Sequence, residues 1–142
     1  MKLLVTGAAG FIGSNFVRYV LRERPGVRIA ILDALTYAGN LSTIADLLES
    51  GEVTFYPGKI QDPTVVEGVI RAEQPTHIVN FAAESHNDRA IEGPLDFVKS
   101  NITGTAILLE VARAYWNTLD AAKKDAFRFH HISTDEVVGA LG

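Results

Sequence analysis

The chain has 142 residues, the length of one domain. Apolar residues make up 47% and charged residues 21%, an ordinary globular mix that excludes a disordered tail, a collagen-like repeat and a coiled coil. A net charge of −4 with no basic run argues against nucleic acid or an anionic membrane as partner, and the absence of cysteine excludes disulfides, thiolate metal sites and thiol nucleophiles and fits the cytoplasm.

The start is apolar for only a few residues before Gly7, short of the ~7–15-residue apolar core of a signal peptide. No stretch reaches the ~18 apolar residues of a membrane span. Residues 3–5 read as a buried strand, and residues 11–24 as a helix with Ile12, Phe16 and Val20 on one face. Pro25-Gly26 breaks that helix, and residues 28–33 form the second strand. A helix over 40–49 and a strand over 53–56 follow. Asp62-Pro63 opens a third helix, as N-cap and first helical residue, which ends before Pro75. Residues 77–82 read as the fourth strand. A long helix over 94–116 carries Leu95, Val98, Ile102, Ala106, Leu109 and Trp116 at three- and four-residue steps, a stripe for the core or for a dimer surface. Residues 120–125 read as a short helical connection and 127–133 as the fifth strand. This alternation predicts an α/β fold, a doubly wound parallel sheet of Rossmann type in the order 3-2-1-4-5. Such folds usually have a sixth strand, so the expectation is an incomplete dinucleotide-binding domain over 1–142, with the substrate domain absent.

Gly7, Gly10 and Gly13 fall between the first strand and the first helix. A glycine turn there lets backbone N–H groups approach a pyrophosphate, whose charge the positive end of the helix favours. Asp33 ends the second strand, where a carboxylate can hold the hydroxyls of an adenine ribose and would repel a 2′-phosphate. No Lys or Arg stands at 34–36. The reading is NAD rather than NADP. Thr134, Asp135 and Glu136 follow the fifth strand, at the end where open parallel sheets present their ligand crevice. A hydroxyl beside two carboxyls suits acid–base chemistry, and a polar strand-end loop is the plain alternative. No His pair has metal-ligand spacing, and His130 and His131, as strand neighbours, point to opposite faces.

The Gly-x-x-Gly-x-x-Gly spacing resembles the extended short-chain dehydrogenase/reductase superfamily. The segments 33–41, 82–89 and 129–137 are similar to those of dTDP-glucose 4,6-dehydratases, and the resemblance covers essentially the whole chain. It implies an NAD-dependent enzyme of nucleotide-sugar metabolism, making a 4-keto-6-deoxy sugar. In such enzymes NAD oxidises C4, the residue matching Glu136 removes the C5 proton, the one matching Asp135 protonates the departing C6 hydroxyl, and hydride returns to C6. Thr134 would hydrogen-bond the sugar near O4. The resemblance also implies cofactor contacts from Phe11 and Ile12 to the pyrophosphate, from Asp33, Ala34, Leu35 and Thr36 around the ribose, and from Lys59 and Ile60 beside adenine. Phe81, Ala82, Ala83 and Ser100 would line the cofactor, and Ser85 would touch both cofactor and sugar.

Lys59 stands where the family commonly has Asp, and Val138 where it has Tyr. The superfamily's Tyr-x-x-x-Lys pair does not occur in these 142 residues. The chain alone is therefore expected not to turn over. Related enzymes dimerise by pairing two long helices per subunit, of which only the first is expected here. Two rivals remain. One is an epimerase or another dehydratase of the superfamily. Epimerases usually carry small residues at Asp135 and Glu136, and GDP-mannose dehydratases a Glu without the preceding Asp. The other is a non-catalytic NAD-binding module.

Overall fold

A computed structural model describes residues 1–36, 39–85 and 93–139. Five parallel strands, β1 (Lys2–Thr6), β2 (Arg28–Asp33), β3 (Val53–Pro57), β4 (His77–Asn80) and β5 (Arg128–His131), form one sheet in the order β3-β2-β1-β4-β5. This is the expected order. The central strands are buried on both faces, as a sheet covered by helices on both sides requires. On one face α1 (Phe11–Glu23), α2 (Ala45–Glu49) and the turn just before α2 pack through Val17, Val20, Leu47 and Ile44 onto Leu3, Val5, Ile29 and Ile31. On the other, α3 (Pro63–Glu73) and the long helical segment pack through Val66, Ile70, Leu108 and Val111 onto Leu4, Ala30, Leu32 and Ile78.

Several elements depart from the sequence reading, each for a local reason. Residues 41–44 form a 3-10 turn before α2, with the Asn40 side chain accepting from the Ser42 N–H, so one uniform helix over 40–49 does not form. The long segment is α-helical at α4 (Pro94–Phe97), π-helical over Val98–Gly104 and α-helical again in α5 (Thr105–Thr118). Its predicted apolar stripe is exposed, with Leu95 at 69% and Ile102 at 65%, while Leu108, Val111 and Ala112 face the core. Ile12 also leaves the core face it was expected to occupy: it is 66% exposed, and the buried residues of α1 are Gly13, Ser14, Val17 and Val20. The polar connection is α6 (Ala121–Ala126), N-capped by Asp120. Among the described residues no helix is long and apolar enough to cross a membrane.

His77 opens β4, half-buried, with the Thr76 hydroxyl 2.8 Å from its Nδ1. Burial lowers its pKa below the ordinary 6.5, helped by the positive charges of Arg128 and the N-terminus. A histidine depressed in the folded state contributes stability that is present above its unfolded pKa and lost as pH falls through its folded one. Thermal unfolding from about pH 7 to about pH 5 should show a falling Tm, and His77→Gln should flatten that slope.

Candidate active site

The carboxyl ends of all five strands carry the loops that the sequence singled out, with Lys59 and Ile60 beyond β3. At β1, Gly7 has φ +71° and donates its N–H to Leu32 O at 3.1 Å. A Cβ at Gly7 would lie 2.6 Å from the Ala82 nitrogen and 2.7 Å from the Phe81 carbonyl carbon, so the turn presses directly on the loop after β4. A Cβ at Gly13 would lie 2.5 Å from Gly7 O, so its absence lets the first turn of α1 pack against the loop. Gly10 is different. It is the N-cap of α1 with ordinary φ −79°, and a Cβ there would meet only Gly7 O at 3.4 Å. No side chain caps the α1 N-terminus and its first turn holds no acid, so the helix's positive end is left for an anion. Phe11 and Ile12 stand exposed beside it.

Asp33 is buried at the end of β2. Its Oδ2 accepts the Ala9 N–H at 2.9 Å and its Oδ1 the Leu35 N–H at 2.8 Å. The second bond holds Leu35 at φ +50°, and Gly39 packs against the same carboxylate, where a Cβ would stand 2.9 Å from Oδ1. Asp33 thus ties the glycine loop to the turn after β2, a brace that its position alone did not reveal. Ala34 is half-buried, Thr36 and Lys59 are exposed, and Ile60 is buried with its side chain against Gly104.

After β4, the Asn101 amide grips the backbone of Glu84 twice, Oδ1 accepting from its N–H at 2.8 Å and Nδ2 donating to its carbonyl at 2.9 Å. Asn101 lies in the π-helical turn, a feature frequent at functional sites, and fixes the loop holding Ala82, Ala83 and Ser85. Sequence reasoning missed it; a lone amide beside Ser100 in an apolar helix was the available signal. Ser100 Oγ accepts from Gln61 Nε2 at 2.8 Å, and the Phe81 ring lies 5.1 Å from that of Phe16. Beyond β5, Thr134 Oγ1 donates to Asp135 Oδ1 at 3.2 Å, and Asp135–Val138 form a 3-10 turn that includes the Glu136 backbone. The Glu136 side chain, Tyr37 and Ala38, and residues 86–89 of the second family-like segment lie outside the described residues. Among the described residues no group of His, Asp and Glu could hold a metal ion. An open groove lined by Phe16, Tyr19, His77, Arg128 and His130 lies at the amino ends of β4 and β5, the opposite end from these loops.

The family model described as GDP-mannose 4,6 dehydratase matches residues 4–142. The chain belongs to this family. Among its relatives, the dTDP-glucose 4,6-dehydratase of Xanthomonas campestris pv. campestris (strain B100) is 52% identical over 139 residues, 98% of this chain. That of Escherichia coli (strain K12) is 48% identical over 141 residues, 99% of this chain. The chain spans 39% of the length of each. Among solved structures, the dTDP-glucose 4,6-dehydratase of Streptomyces venezuelae with NAD bound superposes with a TM-score of 0.85 at 40% identity, over 100% of this chain and 42% of that one. The UDP-glucose 4-epimerase of Thermus thermophilus, also in complex with NAD, gives 0.71 at 34% identity over 81% of this chain and 34% of that one. The family description names one sugar nucleotide and these curated relatives another. The fold is common to dehydratases and epimerases, and the residues around the crevice must separate them.

Proposed function

We propose that this chain is the NAD-binding part of a dTDP-glucose 4,6-dehydratase of the cytoplasm, acting in deoxysugar formation. The observation that carries the reading is 52% identity to such an enzyme across 98% of the chain. Two features of the fold support the cofactor. The α1 N-terminus is uncapped and faces the glycine turn, and a carboxylate ends β2 with no cation at 34–36. Gly7, Gly10, Phe11, Ile12 and Gly13 would hold the pyrophosphate, Asp33 to Thr36 the ribose, Lys59 and Ile60 the adenine, and Phe81 to Ala83, Ser85 and Ser100 the rest. NAD, when bound, supplies the oxidation at C4 of the sugar and the matching reduction at C6.

The chain's own part is proton transfer and positioning. Thr134 hydrogen-bonds the sugar near O4. Glu136 takes the C5 proton, and Asp135 delivers a proton to the C6 hydroxyl, which leaves as water across C5–C6. Two neighbouring carboxyls can do this only if their environments hold one ionised and the other protonated. The same acid pair favours the dehydratase over the epimerase, whose chemistry needs no proton donor for a leaving hydroxyl. The stripe of Leu95, Val98, Ile102 and Leu109 is the surface on which a second copy would pair.

Incubation of the full-length protein with dTDP-glucose tests the reading: a 4-keto-6-deoxy product supports it, and unchanged substrate or a C4 epimer overturns it. The 142-residue chain by itself, without Tyr-x-x-x-Lys, gives no turnover. Gly10→Ala separates binding from folding. Because its Cβ has room, unfolding stability stays within ~0.5 kcal/mol. The methyl intrudes on the pyrophosphate path, and NAD affinity measured by calorimetry drops about tenfold or more.

A further inference from the structure

Thr6, Asn80 and His131 are the last residues of β1, β4 and β5 and stand in one register row across the sheet. Thr6 and Asn80 are fully buried, and His131 is exposed. The Asn80 Oδ1 accepts two hydrogen bonds, from the Thr6 hydroxyl and, at 3.2 Å, from the Ala82 backbone N–H. A backbone N–H can only donate, so the amide oxygen must face it and the amide nitrogen must face the other way. That nitrogen lies 3.0 Å from His131 Nδ1. An amide nitrogen has no lone pair to offer, so Nδ1 must be the acceptor and the ring proton must sit on Nε2. The row therefore joins three loops: Thr6 leads into the glycine turn, Asn80 into Phe81 and Ala82, and His131 into Thr134.

We propose that His131 is a positioning residue of the candidate site, locked as its Nε2–H tautomer by the Thr6–Asn80 pair, so that the end of β5 and the Thr134–Asp135 segment are held in register with the glycine turn. That this segment does chemistry rests on the dehydratase reading; the lock itself does not. The Ile132 N–H, bonded to Asn80 O at 3.1 Å, is the last rung before the segment departs, and the ring contact fastens it from the side-chain face.

The test is nitrogen-15 NMR of the 142-residue chain, without cofactor or substrate. The His131 ring should show an unprotonated Nδ1 and a protonated Nε2. A protonated Nδ1 overturns the lock. His131→Leu, an exposed substitution that cannot accept from Asn80, should shift the Thr134 and Asp135 amide resonances and speed hydrogen exchange at Ile132 roughly fivefold to tenfold, the equivalent of one hydrogen bond. His131→Gln, whose amide oxygen can accept, should restore both. If His131→Leu leaves Thr134 and Asp135 unmoved, or Gln fails to rescue, the positioning role is wrong. Failure of the full-length protein to bind NAD or to convert dTDP-glucose would instead count against the dehydratase reading and would leave these spectra unchanged.

Discussion

Gly7→Ala is expected to destabilise the chain by about 3 kcal/mol, the sum of ~1–2 kcal/mol for a side chain in the left-handed region and ~1–3 kcal/mol for overlap in a packed interior. Both causes are visible at Gly7: φ is +71°, and the added Cβ would fall 2.6–2.7 Å from the backbone of Phe81 and Ala82. The obstacle is backbone, not the far end of a flexible side chain, so relief requires the loop after β4 to move away from the sheet. That loop is tied by Asn101 to the π-helical turn and by Ala82 to Asn80. Urea unfolding of the variant against the parent chain measures the loss. A change within ~0.5 kcal/mol, the range of a neutral surface substitution, would show that the glycine turn is not pressed on Phe81 and Ala82 as described.

Asp33→Ala is the second large effect, about 3 kcal/mol, because removing the carboxylate leaves two backbone N–H groups without acceptors at ~1–3 kcal/mol each, part of which water can recover. The Ala9 N–H is at a fully buried residue and has the less access to water; the Leu35 N–H is half-buried and has more. Asp33→Asn should fall between the two, since an amide can accept one of the bonds but offers an N–H where the other donor points. Cofactor affinity should fall with stability in both variants, because the same carboxylate shapes the glycine turn through Ala9 and, in the proposed reading, holds the ribose. Neither variant should gain NADP, since the turn at 34–36 supplies no cation. Unfolding curves combined with NAD and NADP titrations separate the brace from the ribose contact. Full stability with lost NAD affinity would mean that the brace contributes nothing.

The strands were legible because their apolar runs are short and bounded by glycine, proline or acid, and the order followed from strand–helix alternation. Their ends were less so. The fourth strand was expected to run to Ala82 but stops at Asn80, whose side chain takes the Ala82 N–H and turns the chain out of the sheet. The long helix misled in another way. It is apolar on two faces, and Leu95, Val98, Ile102 and Leu109 make the more regular stripe, yet Leu108, Val111 and Ala112 are the buried ones. A π-helical turn over Val98–Gly104 shifts the phase between its two ends, which no periodicity count reports. At the candidate site, Gly7, Gly13 and Asp33 were singled out by spacing, because a glycine turn and an acid at fixed offsets from two strands carry their own chemical signal. The roles of Thr6, Asn80 and His131 were not legible, because each acts through a partner distant in sequence: 74 residues separate Thr6 from Asn80 and 51 separate Asn80 from His131.

Calorimetric titration of NAD and NADP into the 142-residue chain addresses the cofactor reading most directly. One saturable NAD site is expected, with a Kd below ~1 mM and NADP binding weaker by at least about tenfold, or about 1.4 kcal/mol. Absence of binding by either nucleotide below ~1 mM, or tighter binding of NADP, would contradict it.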